Sequence, residues 1–306
     1  MSEQYVFEVD TEADNRIDKF LSEQLDKLSR SHIQKLIKDQ NVLVNEQPVK
    51  PNYRLDRGDC IRVCIPAVKE PDILPEAIPL DILYEDSDII IVNKPKGMVV
   101  HPAAGHYSGT LVNALMHHCS DLSGINGINR PGIVHRIDMD TTGSLLVCKN
   151  DLAHQKAAEQ FQNHSLKREY HAVLFGNLKD ESGMIEGPIG RHPYDRKKMC
   201  INEKNGKPAV THYKVLKRFG SYTYVKCRLD TGRTHQIRVH MASIRHPLLG
   251  DTVYGPQKQP FNTRGQVLHA ATLGIYHPIT GEYLEVNAPL PEYFEKLLEK
   301  LSHQYL

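Results

Sequence analysis

Between residues 66 and 80 the chain carries Pro66, Pro71, Pro75 and Pro79, interleaved with acidic side chains. Proline fixes its own φ and brings no backbone N–H, so this stretch is denied both a regular helix and a central strand. It reads as an extended, fairly stiff spacer. At 306 residues the chain is also too long for one compact core. Two folded units are therefore expected, at residues 16–65 and 81–306. A polar, acidic N-terminal tail or short strand at 1–15 would precede them, and the spacer at 66–80 would join them.

In the smaller unit Ile17, Phe20, Leu21 and Leu25 recur at helical spacing. Ser29 or Ser31 suits the N-cap of a second helix carrying Ile33, Leu36 and Ile37. Residues 41–45 and 60–65 read as strands, with turns at 46–48 and 57–59. The unit holds ten Lys/Arg against seven Asp/Glu, with Arg16 and Lys19 on the first helix and Arg30, Lys35 and Lys38 around the second. An excess this mild is what any solvated helix face carries. The order of the segments is more telling. Arg16-Ile17-Asp18-Lys19-Phe20-Leu21, Ser29-Arg30-Ser31, Val42-Leu43-Val44-Asn45, Lys50-Pro51 and Gly58-Asp59 together resemble an S4 domain. That resemblance implies a small α/β RNA-binding domain. Structured RNA would lie on the basic side of its helix pair, touching Arg16, Lys19, Arg30 and Lys35, and binding would be salt-dependent. The whole chain has a net charge of only +1, so attraction to nucleic acid has to come from local patches.

After the spacer the pattern becomes that of a larger core. Residues 83–84 and 89–93 flank a polar turn and read as a hairpin. Thr110 suits the cap of one helix, and Asp151 the cap of another running to about 163. Strands are expected at 168–176, 210–216, 222–229, 268–276 and 283–287, and a closing helix at 291–302. Period-two alternation puts Tyr170, Ala172 and Leu174 on one face of their strand. Residues 189–207, with Arg191, Arg196, Lys197, Lys198 and Lys204, are either a solvated loop or an RNA-contacting arm. Strands outnumber helices without regular alternation, so the unit is expected to be α+β on a largely antiparallel, mixed sheet.

Three polar clusters stand out from this apolar background. The first is a loop between Gly132 and Gly143 that holds His135, Arg136, Asp138, Asp140, Thr141 and Thr142. The second is Tyr170, and the third runs from Arg233 to His240. A carboxylate that acts as a nucleophile should be ionised, and a nearby arginine favours that form. Asp138 with an arginine of the third cluster fits such a pair, and fits a structural salt bridge equally well. Tyr170 suits a base-stacking platform or a core position.

The clusters in order carry a second resemblance. His135-Arg136-Ile137-Asp138-x-x-Thr141-Thr142-Gly143, Asn93-Lys94-Pro95-x-Gly97, Arg168-x-Tyr170, Gly232-Arg233-Thr234-His235-Gln236-Ile237-Arg238, His246-Pro247-Leu248-Leu249-Gly250-Asp251 and Leu268-His269-Ala270 resemble pseudouridine synthases. The group is the one containing the large-subunit ribosomal synthases A, C and D, and the pattern is most like the D type. Ile137 and Thr142 stand where leucine and serine are common in that family, and neither touches the acid. The resemblance implies isomerisation of uridines in RNA, with 23S ribosomal RNA or the assembling large subunit as partner. It implies no metal and no redox cofactor. Asp138 matches the catalytic aspartate and Tyr170 the tyrosine that packs on the target base. Arg238 matches the arginine paired with the aspartate, and Arg136 the residue that enters the RNA stack as the uridine flips out.

Other readings are weaker. Asp138 and Asp140 invite a two-carboxylate glycosidase, but residues two apart in a tight loop need not oppose each other across a sugar. Asp140 is expected to belong to the turn. Seventeen histidines include His117-His118, yet no metal-binding spacing occurs. A non-catalytic RNA-binding assembly factor is argued against by the intact Asp138, Tyr170 and Arg238 set. Six cysteines without a C-x-x-C pair, and a start without a basic-then-apolar segment, suggest a reducing, cytoplasmic setting. No apolar run reaches a membrane span. Nothing calls for an obligate oligomer, so a monomer is expected.

Overall fold

The computed structural model describes residues 3–10, 16–26, 28–65, 73–102, 106–125, 127, 130–195 and 197–304. Residues 11–15 of the expected tail, 66–72 of the expected spacer, 103–105 of the loop after His101, Asn129 and Arg196 lie outside the described residues. The chain divides into two units, Met1–Pro71 and Asp72–Leu306.

The first unit runs β1 (Glu3–Glu8), α1 (Ile17–Gln24), α2 (Arg30–Lys38), β2 (Val42–Val44), β3 (Gln47–Pro48) and β4 (Cys60–Ile65). Its antiparallel sheet has the order β1-β4-β2-β3. Ile17 and Leu21 of α1 and Ile33 and Ile37 of α2 share a core with Val42, Val44, Ile61 and Val63. Each such side chain contributes about 1.5–3 kcal/mol through burial. Ser29 caps α2 by accepting from the His32 N–H, as its position before the apolar period suggests. Of the two readings of the first fifteen residues, Glu3–Glu8 takes the strand, an edge strand paired along its length with β4. Its side chains are almost all exposed, so it lacks the alternation that marks a half-buried strand.

The second unit begins earlier than the spacer reading placed it. Ile73 is buried in the large core, the Asn113 side chain donates to the Leu74 carbonyl at 2.8 Å, and the Gly109 N–H donates to Glu76. Described residues 73–80 are thus packed against their own unit rather than bridging.

Then follow β5 (Ile82–Glu85), β6 (Ile89–Lys94), α3 (Leu111–His118), β7 (Thr142–Cys148), α4 (Asp151–Gln162), β8 (Lys167–Phe175), β9 (Ser182–Glu186), β10 (Ile189–Arg191), β11 (Met199–Ile201), β12 (Val210–Phe219), β13 (Tyr222–Leu229), α5 (Gln236–Ser243), β14 (Leu268–Tyr276), β15 (Tyr283–Asn287) and α6 (Glu292–Gln304). Eight strands take the order β5-β6-β7-β14-β8-β13-β12-β9, and β15 pairs with β14. Among the described residues of this sheet only β7 and β14 pair in parallel; the other pairs are antiparallel. The fold is α+β on a mixed, largely antiparallel sheet, as the uneven run of strands and helices suggested. Thr110 caps α3 in a reciprocal capping box with Asn113. The cap of α4 is Asn150 rather than Asp151, whose carboxylate instead accepts from Ser123. Both residue types suit an N-cap, and their adjacency hid which one serves.

The centre of the sheet positions the polar loop. Gly143 on β7 lies opposite Lys94 of β6 and Ala270 of β14. Its φ is +107°, and a Cβ there would sit 2.2 Å from the Ala270 carbonyl oxygen. Only glycine fits, which explains the glycine five residues after Asp138. Gly143→Ala is expected to cost more than about 3 kcal/mol, combining backbone strain with overpacking. A denaturant midpoint that stays at the wild-type value would contradict this account.

Candidate active site

The polar loop comes off β7, Tyr170 stands on β8, and both strands flank β14. Tyr170 lies opposite Ala270 on one side and Cys227 on the other, with Ala172 and Leu174 sharing its core. The third cluster begins after β13 and continues into α5. Residues separated by up to one hundred positions therefore converge over the middle of one sheet.

Arg238 is the hinge of the arrangement. Its Nε and Nη2 donate to the two oxygens of Asp251 at 2.6 and 3.0 Å, and its Nη1 donates to Asp138 Oδ2 at 2.9 Å. Asp251 is fully buried and also accepts from the Val253 and Tyr254 N–H groups. Burial works against the charge on Arg238, but the hydrogen bonds and charges of Asp251 and Asp138 outweigh it and push its pKa up. The planar guanidinium can hold two carboxylates at once, which a lysine cannot do with the same geometry. Asp138 Oδ2 is thereby anchored, while Oδ1 lies 3.8 Å from Nε2 of the His235 ring.

Lys94 pins the same loop from below. It is 1% exposed, and its Nζ donates to the carbonyls of Pro95, Met98 and Met139. Burial lowers its pKa to about 7. Met139 lies between the two aspartates, so this lysine holds the backbone that aims Asp138. His135 does similar work: its Nε2 accepts from the Leu146 N–H and its ring stacks on Phe161. Burial, aided by Arg168, lowers its pKa to about 3, so it stays neutral as that acceptor role requires.

The loop and α5 enclose a cleft of about 380 Å³ bordered by Arg136, Asp138, Asp140, His235, Arg238 and Asp251. That volume lies in the range of small-molecule sites, about 300–1,000 Å³. A smaller recess of about 50 Å³ leads from Asp138 to Tyr170, with Leu229 and Leu268 as apolar walls. Tyr170 is 8% exposed, and burial raises the pKa of its phenol. Arg136 is exposed and borders both spaces. It also borders a groove of about 610 Å³ lined by Arg191, Lys197, Lys207 and Arg233.

A family model for RNA pseudouridylate synthase matches residues 88–243, and one for the S4 domain matches residues 15–61. The chain belongs to the RNA pseudouridylate synthase family. An RNA pseudouridine synthase of Bacillus subtilis (strain 168) is 53% identical over 286 residues, covering 94% of each chain. The ribosomal large subunit pseudouridine synthase D of Escherichia coli (strain K12) is 42% identical over 303 residues, 95% of this chain and 91% of that one. The human RNA pseudouridylate synthase domain containing 1 matches with a TM-score of 0.57 and 27% identity, over 76% of this chain and 97% of the other. The synthase converts uridine in RNA to pseudouridine and carries an S4 domain in front.

Within the synthase, the sequence candidates fall into two groups. Asp138, Tyr170, Arg238 and Arg136 line one connected space. Arg16, Lys19, Arg30 and Lys35 lie exposed on the helix pair of the S4 unit. Two of these four are also committed elsewhere. Arg16 and Arg30 both form salt bridges with Asp18, which is 0% exposed and takes a further hydrogen bond from Gln34. Burial alone would raise the Asp18 pKa, but the bonds from Gln34, Arg16 and Arg30 overcome it and lower the value. Asp140 borders the main cleft and packs on Gly265, where a Cβ would meet its Oδ2 at 2.3 Å. Burial raises its pKa against the pull of Lys96 and Lys94.

Lys94, His235, Asp251 and Tyr254 received no role from sequence. Lys94 had a signal, being a charged residue that ends an otherwise apolar strand. Among the described residues, two groups offer three potential metal ligands, Glu85 with His118 and Cys119, and Asp86 with Asp88 and His277. Neither borders the cleft, and in each a histidine already pairs with a carboxylate. No helix among the described residues is long and apolar enough to cross a membrane.

Proposed function

We propose that this synthase acts on uridines of 23S ribosomal RNA, free or in the assembling large subunit, with Asp138 as its catalytic carboxylate. The observation that carries the reading is the Asp138 carboxylate itself. Arg238 bonds one oxygen and not the other, and Asp138 borders a cleft with Tyr170 at the end of its recess. Relatives named ribosomal large subunit pseudouridine synthase D match over nearly their whole length, which supports the choice of RNA. The reading takes the synthase as a monomer, and ribosomal RNA as substrate suits the cytoplasm.

In this reading the target uridine leaves its stack and enters the cleft, at a cost of a few kcal/mol. Arg136, at the junction of cleft and groove, fills the vacated space and touches phosphate. Asp138 Oδ1 starts the reaction at the sugar or base, the C1′–N1 bond breaks, the base turns, and C5 bonds to C1′. Tyr170 packs on the base as a neutral phenol and stands where the C5 proton must leave. Atoms balance without a co-reactant, because the C5 hydrogen is exchanged for a proton on N1. Mapping pseudouridines in ribosomal RNA from cells with and without the protein, then with Asp138→Asn, tests the assignment. Modification sites that persist in its absence would remove this chain as their source.

Arg191, Lys197, Lys207 and Arg233 on and beside the β10–β11 hairpin form a basic wall next to Arg136, which supports a path for the flanking RNA strand along it. Residues 189–207 are in this reading the RNA-contacting arm rather than only a solvated loop. Replacing the exposed Lys197 and Lys207 with Gln should weaken binding similarly for all sequences. It should also flatten the slope of log affinity against log salt by about 1.5. An unchanged slope in a filter-binding titration would place the strand elsewhere.

A further inference from the structure

The His235 side chain lies beside the site without a part in the scheme above. Its backbone is left-handed, with φ 56° and ψ 22°, at the position preceding α5, yet its side chain makes no capping bond there. The turn is instead closed by Gln236, whose Oε1 accepts from the Arg233 N–H and the Thr231 hydroxyl. Strained backbone of this kind persists where the surroundings over-determine it. Both nitrogens of the ring have other neighbours: Nδ1 lies 2.8 Å from the Tyr254 hydroxyl, and Nε2 lies 3.8 Å from Asp138 Oδ1.

The tautomer follows from those neighbours. The Tyr254 oxygen already accepts from the Met199 N–H at 2.8 Å, and a phenol has one proton to give. An ionised carboxylate offers only acceptors, so the side of the ring toward Asp138 must carry a proton for the contact to be favourable. Both demands agree: Tyr254 donates to Nδ1, and Nε2 keeps its hydrogen. Tyr254 also presents its ring to Arg238, whose guanidinium carbon is 5.1 Å from the centroid. One tyrosine thus braces both neighbours of the Asp138 carboxylate.

We propose that His235, fixed in one tautomer by Tyr254, is a positioning residue that aims its Nε2–H at Asp138 Oδ1 and orients that oxygen for the reaction. The proposal rests on Asp138 being the catalytic carboxylate. At 3.8 Å the bond is not yet made, and polar contacts of this kind commonly tighten only when substrate is bound. The charged and titratable groups facing the ring are Asp138 and Arg136 from the polar loop and Arg238 from α5. Asp251 and Tyr254 face it from the turn that follows Leu249. Burial lowers the pKa of the ring and Asp138 opposes that, so the neutral form prevails at neutral pH.

The test uses the full-length protein and two variants. Tyr254→Phe removes only the hydroxyl, so the neutral ring can place its proton on either nitrogen. Its kcat should fall by about 10-fold at pH 8 with KM for RNA unchanged, the size seen when an outer partner of a reactive group is lost. Burial sets the ring's pKa below the ordinary histidine value of about 6.5, so only as pH drops through that lowered value does the imidazolium carry both protons and the tautomer cease to matter. The ratio of wild-type to Tyr254→Phe kcat should therefore fall toward one over that range. His235→Asn suits the left-handed backbone but does not reach Oδ1, and its kcat should fall by about 10- to 100-fold at every pH. A ratio independent of pH, or a His235→Asn enzyme with wild-type kcat, overturns the proposal. Turnover retained by Asp138→Asn would instead overturn the reading beneath it, so the two failures are distinguishable.

Discussion

Asp138→Asn is expected to stop pseudouridine formation, with kcat lowered by at least about 10⁴-fold, the scale typical of losing a group that takes part in the chemistry. The substitution is nearly isosteric and leaves the rest of the site in place. Arg238 keeps both of its bonds to Asp251, and the new carboxamide oxygen can still accept from Nη1. The change in stability should stay near 1 kcal/mol, ordinary for a part-exposed position. RNA affinity should remain within a few-fold, because phosphate contacts elsewhere supply most of it. The readout follows from the reaction itself. C5 loses its hydrogen when it becomes the glycosidic carbon, so RNA made with 5-tritiated uridine should release tritium with wild-type protein and not with the variant. Release at more than about 1% of the wild-type rate would assign the chemistry to another group.

The residues of this site were legible as types and not as a geometry. Asp138 and Arg238 lie one hundred positions apart. Nothing in either segment says that β7, β14 and β8 lie side by side and bring them together, since strand order is decided by packing over the whole sheet. Asp251 ends a segment that resembles the family pattern and still gave no sign that it holds Arg238, because a Gly-Asp pair reads equally as a turn. Local signals fared best where one residue type has one task. Thr110 caps α3 as expected, and α2 is capped by Ser29, one of its two candidates. They fared worst where the structure is short or one-sided. Strands β10 and β11 have three residues each, too few to show a period, and β1 exposes both faces. The basic residues of the S4 unit show a different gap. Their charge suggested RNA, but Asp18 between them fixes Arg16 and Arg30 in place, and burial of that carboxylate depends on tertiary packing. A fork held in this way presents its remaining N–H groups at low entropic cost, which favours rather than opposes contact with phosphate.

Arg238→Met should produce the largest loss of stability of any single change in the cleft, about 3–5 kcal/mol. The reason is Asp251 more than Asp138. Asp251 is fully buried, and without the guanidinium its carboxylate keeps only the Val253 and Tyr254 N–H groups. A buried charge that has lost its partner costs far more than the pair contributed when intact. Asp138 is 19% exposed, so water can replace part of what it loses. Activity should fall by about 10³-fold as well, but that loss has a separate origin, the freed carboxylate of Asp138. A second substitution separates the two. Arg238→Met with Asp251→Asn leaves no unpaired buried charge, so the urea midpoint should recover most of the way to wild type. The single-turnover rate should not recover, since nothing then anchors Asp138 Oδ2. Arg238→Lys should lie between, because one ammonium keeps the charge but does not span both carboxylates as the fork does. If the double variant regained its rate along with its stability, Arg238 would be a structural counter-ion for Asp251 alone, and orientation of Asp138 would fall to His235 and the backbone held by Lys94.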